Sequence, residues 1–397
     1  MQKKNLAFLR ENAPCYVYDR RGIIERCGML RAAMPDVQFL YSVKANPFKP
    51  LVETIAKQGF GADAASANEV LLAAQAGISG EMIFYSAPGK TLADIEKAWG
   101  KCVIIADSFS ELELLEKYAA EKNEVASVGV RVNPNFSMKG ANGAASKFGI
   151  DEALFKLKSL EFPHLKITGI HVHLRSQILD TELLCSYYQN CYALAERLSK
   201  LQGVELSFIN FGSGIGTVYD EAREKPLDFE KLGQAMQELR QYNLRSLNAK
   251  FILETGRFLV CNAGSYYTRI VDKKRSGRRT FLVVQNAMNG FLRPALAKLL
   301  EQNLGFYPEI GHEPLYTSAR QSRLRVLGKE GDLEIVDVVG NLCTSLDVLA
   351  EGIILPHAEI GDIIEVSNAG SYGRTLSPLL FSSQDEVKEF LLDDFEV

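Results

Sequence analysis

Ionic side chains recur at the ends of apolar runs, where solvated charges are not expected. Lys44 stands in Val43-Lys44-Ala45-Asn46, Asp63 in the run 61–65, and Arg131 in the run 128–133. His173 and Ser176 lie in His171-Val172-His173-Leu174-Arg175-Ser176-Gln177, and Glu254 opens Glu254-Thr255-Gly256-Arg257. Charged groups are rarely buried unless paired, so each needs a reason. A lysine amine attacks carbonyls, and a carboxylate holds or moves a proton. Gly212-Ser213-Gly214-Ile215-Gly216 is a glycine turn of the kind whose backbone N–H groups cradle phosphate. Each also has a plainer reading. A strand-end lysine faces solvent, the glycine turn is a tight connection, His173 is a satisfied core histidine, and Glu254 pairs with Arg257.

The elements that carry these residues form a repeat. Short β-rich runs fall at 39–45, 61–65, 82–87, 102–107, 128–133, 169–174, 208–212 and 251–256. Amphipathic stretches such as 110–121, 181–201 and 229–242 lie between them, with apolar residues three and four apart. Strand alternating with helix implies a parallel sheet. Eight such units predict a closed (β/α)8 barrel, with a doubly wound open sheet as the competing arrangement. In the barrel, catalytic groups gather at the C-terminal strand ends, where the residues above fall.

Past Gly256 the texture changes to runs rich in Val, Ile and Thr at 258–272, 280–284, 333–339 and 363–366, with little helix. This tail reads as an all-β domain, and the run 15–19 is expected to join it. The basic stretch 273–279 reads as a solvated hairpin tip. The expected division is a barrel over 25–260, with 1–24 and 261–397 forming a β domain that contributes to the dimer and the active site. The 397-residue chain is 47% hydrophobic and 24% charged with net charge −4, which gives no case for nucleic acid or an anionic membrane. No long apolar span or signal peptide is read, and seven cysteines without a CxxC pair read as reduced thiols of a cytoplasmic protein. His171 and His173 share a strand face, but nothing local completes a metal motif.

The combination outweighs its parts. Barrels bind phosphate through the loops after strands seven and eight, where the glycine turn and Arg257 fall. A lysine at the same mouth, a phosphate cup and a carboxylate for a ring nitrogen are the requirement set of pyridoxal 5'-phosphate.

The chain resembles the fold-type III pyridoxal-dependent decarboxylases, the group of diaminopimelate, ornithine and arginine decarboxylases with an alanine-racemase-like barrel. Six separated motifs occur in that family's order. Tyr41-Ser42-Val43-Lys44-Ala45-Asn46 is similar to the lysine motif, which implies that Lys44 is the Schiff-base residue. Asp63 through Glu69 resembles D-x-A-S-x-x-E. His173-Leu174-Arg175-Ser176-Gln177 resembles H-x-G-S-Q, implying a histidine stacked on the cofactor and a serine at its phosphate. Glu254-Thr255-Gly256-Arg257 resembles E-P-G-R, Cys343-Thr344-Ser345-Leu346-Asp347 resembles C-E-S-x-D, and Gly370-Ser371-Tyr372-Gly373 resembles G-A-Y-G. The resemblance implies catalytic roles for Lys44, Cys343, His173 and Glu254. It implies cofactor binding by Lys44, Asp63, Arg131, His173, Ser176, Gly212, Ser213, Gly214, Glu254, Gly256, Arg257 and Tyr372. It also implies a homodimer in which the cysteine element enters the partner's site.

The departures bear on substrate. The family's G-G-G is Gly212-Ser213-Gly214, and Arg175 replaces a glycine. Gln285-Asn286-Ala287-Met288-Asn289 stands for D-A-G-M-N, and Arg293-Pro294-Ala295-Leu296 is kept but followed by Ala297 instead of tyrosine. Thr344 replaces an acid that holds a distal ammonium. With substrate contacts assigned to Arg293, Thr344 and Asp347, the expected substrate is a tailored or carrier-bound amino acid with a distal carboxylate or carbonyl. This resembles the siderophore and antibiotic pathway members of the staphyloferrin B and butirosin type. A meso-diaminopimelate decarboxylase is the alternative, and a non-catalytic pyridoxal-phosphate-binding protein the alternative of another class. Glu254 suits a protonated ring nitrogen, since a nearby anion raises a base's pKa. Alanine racemases place an arginine there and use a tyrosine as second base. Cys343 is expected to protonate Cα; its plainer reading is a buried structural thiol.

Overall fold

The computed structural model describes residues 3–140, 142–301 and 322–393. The chain divides into two compact units, Arg26–Gly216 with Pro226–Gly256, and Met1–Glu25 with Thr217–Lys225 and Arg257–Val397. Strand β1 (Cys15–Asp19) belongs to the second.

The first unit holds β2 (Val37–Ser42), β3 (Gly61–Ala64), β4 (Ile83–Tyr85), β5 (Val103–Ala106) and β6 (Ala126–Asn133). The two-residue β7 (Ile150–Asp151), then β8 (Leu165–His171), β9 (Phe208–Asn210) and β10 (Lys250–Thr255) follow. The order is β5-β4-β3-β2-β10-β9-β8-β6 with β5 also pairing β6, so the parallel sheet closes into an eight-stranded barrel, with β7 attached to β6. Leu40, Phe84, Ile105, Phe208 and Ile252 pack into one cluster. Gly129 and Gly169 are paired across β6 and β8, and a Cβ on either would strike the Phe208 ring. Several helices begin where a short polar side chain accepts a first-turn N–H: Ser66 from Glu69, Ser108 from Glu111, Asp180 from Leu183 and Asp228 from Lys231.

The expected strands overrun at two functional positions. Lys44 sits on a 3-10 turn, Val43–Ala45, and β8 ends at His171, two residues before His173. Both side chains are thereby lifted out of the hydrogen-bonded wall. At the same end of the barrel, Lys90 donates to Glu111 Oε2 at 3.0 Å and to the Ile105 carbonyl at 2.7 Å, and both side chains of this ion pair are buried. Lys90→Met removes the ammonium facing Glu111 and leaves its buried charge to the backbone N–H groups of Gly89, residue 90 and Asp107 alone. We expect a loss of about 3 kcal/mol, read from the midpoint of denaturant unfolding.

The second unit contains β11 (Gly264–Ser276), β12 (Arg279–Val284), β13 (Leu324–Val326), β14 (Leu333–Val339), β15 (Val348–Pro356), β16 (Ile363–Val366) and β17 (Lys388–Leu392). They form a mixed sheet ordered β13-β16-β11-β12-β14-β15, to which β1 adds by pairing β11 and β17. The basic stretch is a hairpin turn between β11 and β12, whose strands extend almost to its tip. Leu9, Cys15, Val17, Tyr267, Leu327 and Ile363 form a core cluster.

Two expectations are corrected. The run from Phe258 begins as a helical turn, Arg257–Val260, not as strand, and a helix Arg293–Glu301 interrupts the β-rich tail. The unit boundary also differs from 25–260, because Thr217–Lys225 groups with the β-rich unit. The reason is polar: Thr217 Oγ1 donates to Asn262, while Arg257 and Arg293 both donate to the Tyr219 hydroxyl. Among the described residues, no helix is long and apolar enough to cross a membrane.

Candidate active site

The C-terminal strand ends of the barrel bring together Lys44, Asp63, Arg131, His173, Ser176, the 212–214 turn, Glu254 and Gly256. Lys44 Nζ donates to Asp63 Oδ2 at 3.1 Å, and Ser86 Oγ donates to Asp63 Oδ1 at 2.7 Å. The Asp63 side chain is fully buried, whereas that of Lys44 is 43% exposed. Asp63 therefore anchors the base of a reachable amine. Arg131 donates to the Ser86 carbonyl at 3.5 Å, stands 3.8 Å from Asp107 Oδ1, and lies over the Phe148 ring at 4.5 Å.

Glu254 is buried on β10. Its Oε1 accepts from Asn210 Nδ2 at 2.9 Å and lies 3.2 Å from His171 Nε2. Burial alone pushes its carboxyl up, but His171, Lys44 and His173 outweigh that and hold it well below the usual carboxylate range. His173 is pushed down to about 3, first by desolvation and then by the charges of Arg131 and Lys44, against the pull of Glu254. It is a neutral imidazole at pH 7, suited to lie against an aromatic ring. Ser176 Oγ is 3.4 Å from its Nε2.

The turn after β9 fits a phosphate. Gly212 and Gly214 have φ of +60° and +84°, and a Cβ on Gly212 would lie 2.5 Å from His173 Nδ1. Ser213 Oγ is committed to the Ile215 N–H at 2.9 Å, so the serine replacing glycine caps its own turn. The buried backbone N–H groups of Ser213 and Gly214 donate to no acceptor among the described residues. Two adjacent buried N–H groups without acceptors are a ready anion site. Lysine, neutral imidazole, unspent N–H pair and ionised glutamate together fit pyridoxal 5'-phosphate.

The β-rich unit holds the remaining expected residues. Arg257 donates to the Tyr219 hydroxyl and lies 5.0 Å from the Tyr372 ring centre. Tyr372 has φ +52°, a left-handed conformation that costs a bulky residue energy and recurs at functional turns. Arg293 is 1% exposed and donates to the Ser371 carbonyl at 3.0 Å. It also borders a cavity of about 570 Å³ with Tyr219, Ala297 and Arg323. Expected as a substrate arginine, it is at least an anchor of the Gly370–Gly373 turn.

Asp347 is 3% exposed, and its oxygens accept the N–H groups of Met288 at 2.7 Å and Leu342 at 2.8 Å. It clamps the Cys343 loop, each oxygen accepting one backbone N–H. Thr344 Oγ1 accepts the Leu346 N–H at 3.3 Å within the same loop. Cys343 is exposed, against the buried-thiol reading, and all seven cysteines are free.

Glu69, on the helix after β3, accepts the Ala65 N–H at 2.7 Å, yet burial pushes its carboxyl up to about 7. A raised folded-state value means stability present below the unfolded value of 4.5 and lost as pH rises through 7. Glu69→Gln keeps an acceptor and removes the ionisation. We expect its stability relative to wild type to rise between pH 5 and pH 8 by about 2 kcal/mol, measured by paired urea titrations.

His171, Asn210, Ser86, Asp107 and Tyr219 were not singled out for the site from the sequence. The only signal was His171, two residues before His173 on a common strand face.

Residues 20–261 match the family model described as pyridoxal-dependent decarboxylase, pyridoxal binding domain. An L-glutamyl-[BtrI acyl-carrier protein] decarboxylase of Niallia circulans is 32% identical, over 96% of this chain and 89% of the relative. A diaminopimelate decarboxylase of Aquifex aeolicus is 32% identical, over 92% of this chain and 83% of the relative. The crystal structure of diaminopimelate decarboxylase from Helicobacter pylori complexed with L-lysine matches with TM-score 0.82 at 27% identity, covering 96% of this chain and 92% of that one. The chain belongs to the pyridoxal-dependent decarboxylases. It is an amino acid carboxy-lyase whose cofactor is pyridoxal 5'-phosphate.

Proposed function

We propose that the enzyme removes the α-carboxylate of a tailored or carrier-bound amino acid that carries a carboxylate or carbonyl at its far end. The observation that carries this reading is the Cys343 loop. Thr344 is neutral where the family has an acid, and the loop's one carboxylate, Asp347, is buried and turned toward the backbone N–H groups of Met288 and Leu342, so the acid that would face a distal ammonium is missing. A desolvated ammonium without a counter-charge is costly, which disfavours ornithine and lysine. The similarity to a relative named for carrier-bound glutamate supports the same reading. The retained Arg293-Pro294-Ala295-Leu296 and the similarity to diaminopimelate decarboxylases favour meso-diaminopimelate as the second reading.

When bound, pyridoxal 5'-phosphate supplies a carbon that amines attack and a ring that accepts the electron pair left by CO2 loss. Lys44 is the amine that holds it, with Asp63 Oδ2 as the acceptor for the Nζ proton. The N–H groups of Ser213 and Gly214, with Ser176 and Gly256, would hold its phosphate. Neutral His173 would pack against its ring without adding charge. Glu254 holds a proton on the ring nitrogen. Cys343 Sγ delivers a proton to the substrate's Cα.

The enzyme is proposed to act as a homodimer in which Cys343 serves the neighbouring site; its exposure on a clamped loop supports this. Lys44→Ala and Cys343→Ala, each impaired alone, should recover up to about a quarter of wild-type activity per site when mixed, because random exchange rebuilds one intact site in a mixed dimer. No recovery, with exchange shown by native mass spectrometry, would place the site within one chain.

The substrate is tested by CO2 release from meso-diaminopimelate, ornithine, lysine, free glutamate and a glutamyl thioester on a carrier protein. The reading expects the conjugate to be turned over and the diamines to be poor. Efficient release from free meso-diaminopimelate, with none from the conjugate, would replace it by the second reading.

A further inference from the structure

The acidic residue of the site is held by three adjacent strands. His171 closes β8, Asn210 closes β9 and is its register partner, and Glu254 lies near the end of β10. Asn210 Oδ1 accepts the Gly212 N–H at 2.9 Å, which fixes the orientation of its amide. Only its Nδ2 is then left to face Glu254, and it donates to Oε1 at 2.9 Å. His171 Nε2 approaches the same oxygen at 3.2 Å, off the axis of an aligned hydrogen bond. Oε2 has no hydrogen-bond partner among the described residues. Lys44, His173 and the buried Tyr187 hydroxyl also interact electrostatically with Glu254.

His171 is 1% exposed and both its ring nitrogens are buried without an aligned hydrogen-bond partner, Glu254 Oε1 at 3.2 Å from Nε2 being the one polar atom in reach that the described contacts give it. Such a group in a native barrel needs an explanation. With the proton on Nε2, the ring offers a donor to Oε1 and buries a bare Nδ1. With the proton on Nδ1, an N–H is buried without an acceptor and a lone pair faces the carboxylate, so the contact with Oε1 turns repulsive.

We propose that His171 is a positioning residue whose Nε2–H, together with Asn210, anchors Oε1 of Glu254 and leaves Oε2 as the oxygen offered to the cofactor's ring nitrogen. The inference rests on the assignment of Glu254 to that nitrogen. One carboxylate oxygen is pinned to the barrel wall and the other is kept in reserve. His171 itself touches neither substrate nor cofactor.

The test uses the holoenzyme and reads the pH dependence of the bound cofactor's visible absorbance, beside that of kcat. A donor to an ionised carboxylate lowers its pKa, so removing it moves the acid-side transition upward. His171→Leu should move that transition up by about one pH unit, the size expected from losing one charge-assisted hydrogen bond. His171→Gln, whose side-chain N–H reaches a similar position, should titrate like wild type. Coincident titrations of His171→Leu and wild type, while Glu254→Gln differs, would overturn the role of His171 alone. If Glu254→Gln also titrates like wild type, the assignment of Glu254 fails instead. Equal shifts in His171→Leu and His171→Gln would make the ring a packing element and overturn the donor. Nitrogen NMR of wild type decides independently of any variant: a proton on Nε2 supports the proposal, and a proton on Nδ1 overturns it.

Discussion

Lys44→Ala is expected to lower kcat by on the order of 10⁴-fold, and to leave cofactor that washes out on dialysis. Lys44 is the reachable amine of the barrel mouth, with Asp63 beneath it at 3.1 Å. In the proposed site its removal takes away the covalent attachment and the amine that donates to Asp63. The fold should survive. The lysine side chain is 43% exposed, and Asp63 keeps the Ser86 hydroxyl as a donor at 2.7 Å. What remains is a buried carboxylate short of one partner, a penalty of about 1–3 kcal/mol in unfolding free energy. Circular dichroism separates this small loss from the large catalytic one. Full activity in the folded variant would remove Lys44 from the site.

Glu254→Gln should cost roughly 10²- to 10³-fold in kcat with a much smaller change in cofactor affinity. Glutamine preserves shape and lets Oε1 keep the Asn210 donor. In the proposed site it loses the negative charge that would raise the basicity of the ring nitrogen, an effect realised as electron density moves into the ring. Steady-state kinetics and a cofactor-binding titration check the split. Equal losses in both would mean that Glu254 only helps to bind.

The parts of the molecule that were legible are those written locally. Eight apolar runs separated by amphipathic stretches define the barrel, because strand and helix each print their own period. Lys44, Asp63, His173 and Glu254 stood out because charged or polar types at strand ends need partners. What escaped depends on lateral neighbours. No spacing links His171 to Glu254, 83 residues apart (254 − 171); the pairing exists because β9 lies between their strands. Tyr219 receives two arginines only because its segment leaves the barrel unit. Asp347 reads as a ligand from its motif, but the motif does not say that both oxygens turn back onto Met288 and Leu342. Phe258-Leu259-Val260 has strand composition, yet it directly follows the end of β10, where the chain turns through Gly256 into a helix.

The site itself is tested most directly by reducing the holoenzyme with borohydride and mapping the fixed pyridoxyl group. Trypsin spares a blocked lysine and a lysine before proline, so modification at Lys44 yields a single peptide covering 32–57. The account predicts the pyridoxyl mass on that peptide, with fragmentation placing it on Lys44. A label on another lysine, or no covalent label in enzyme that contains cofactor and is active, would contradict it.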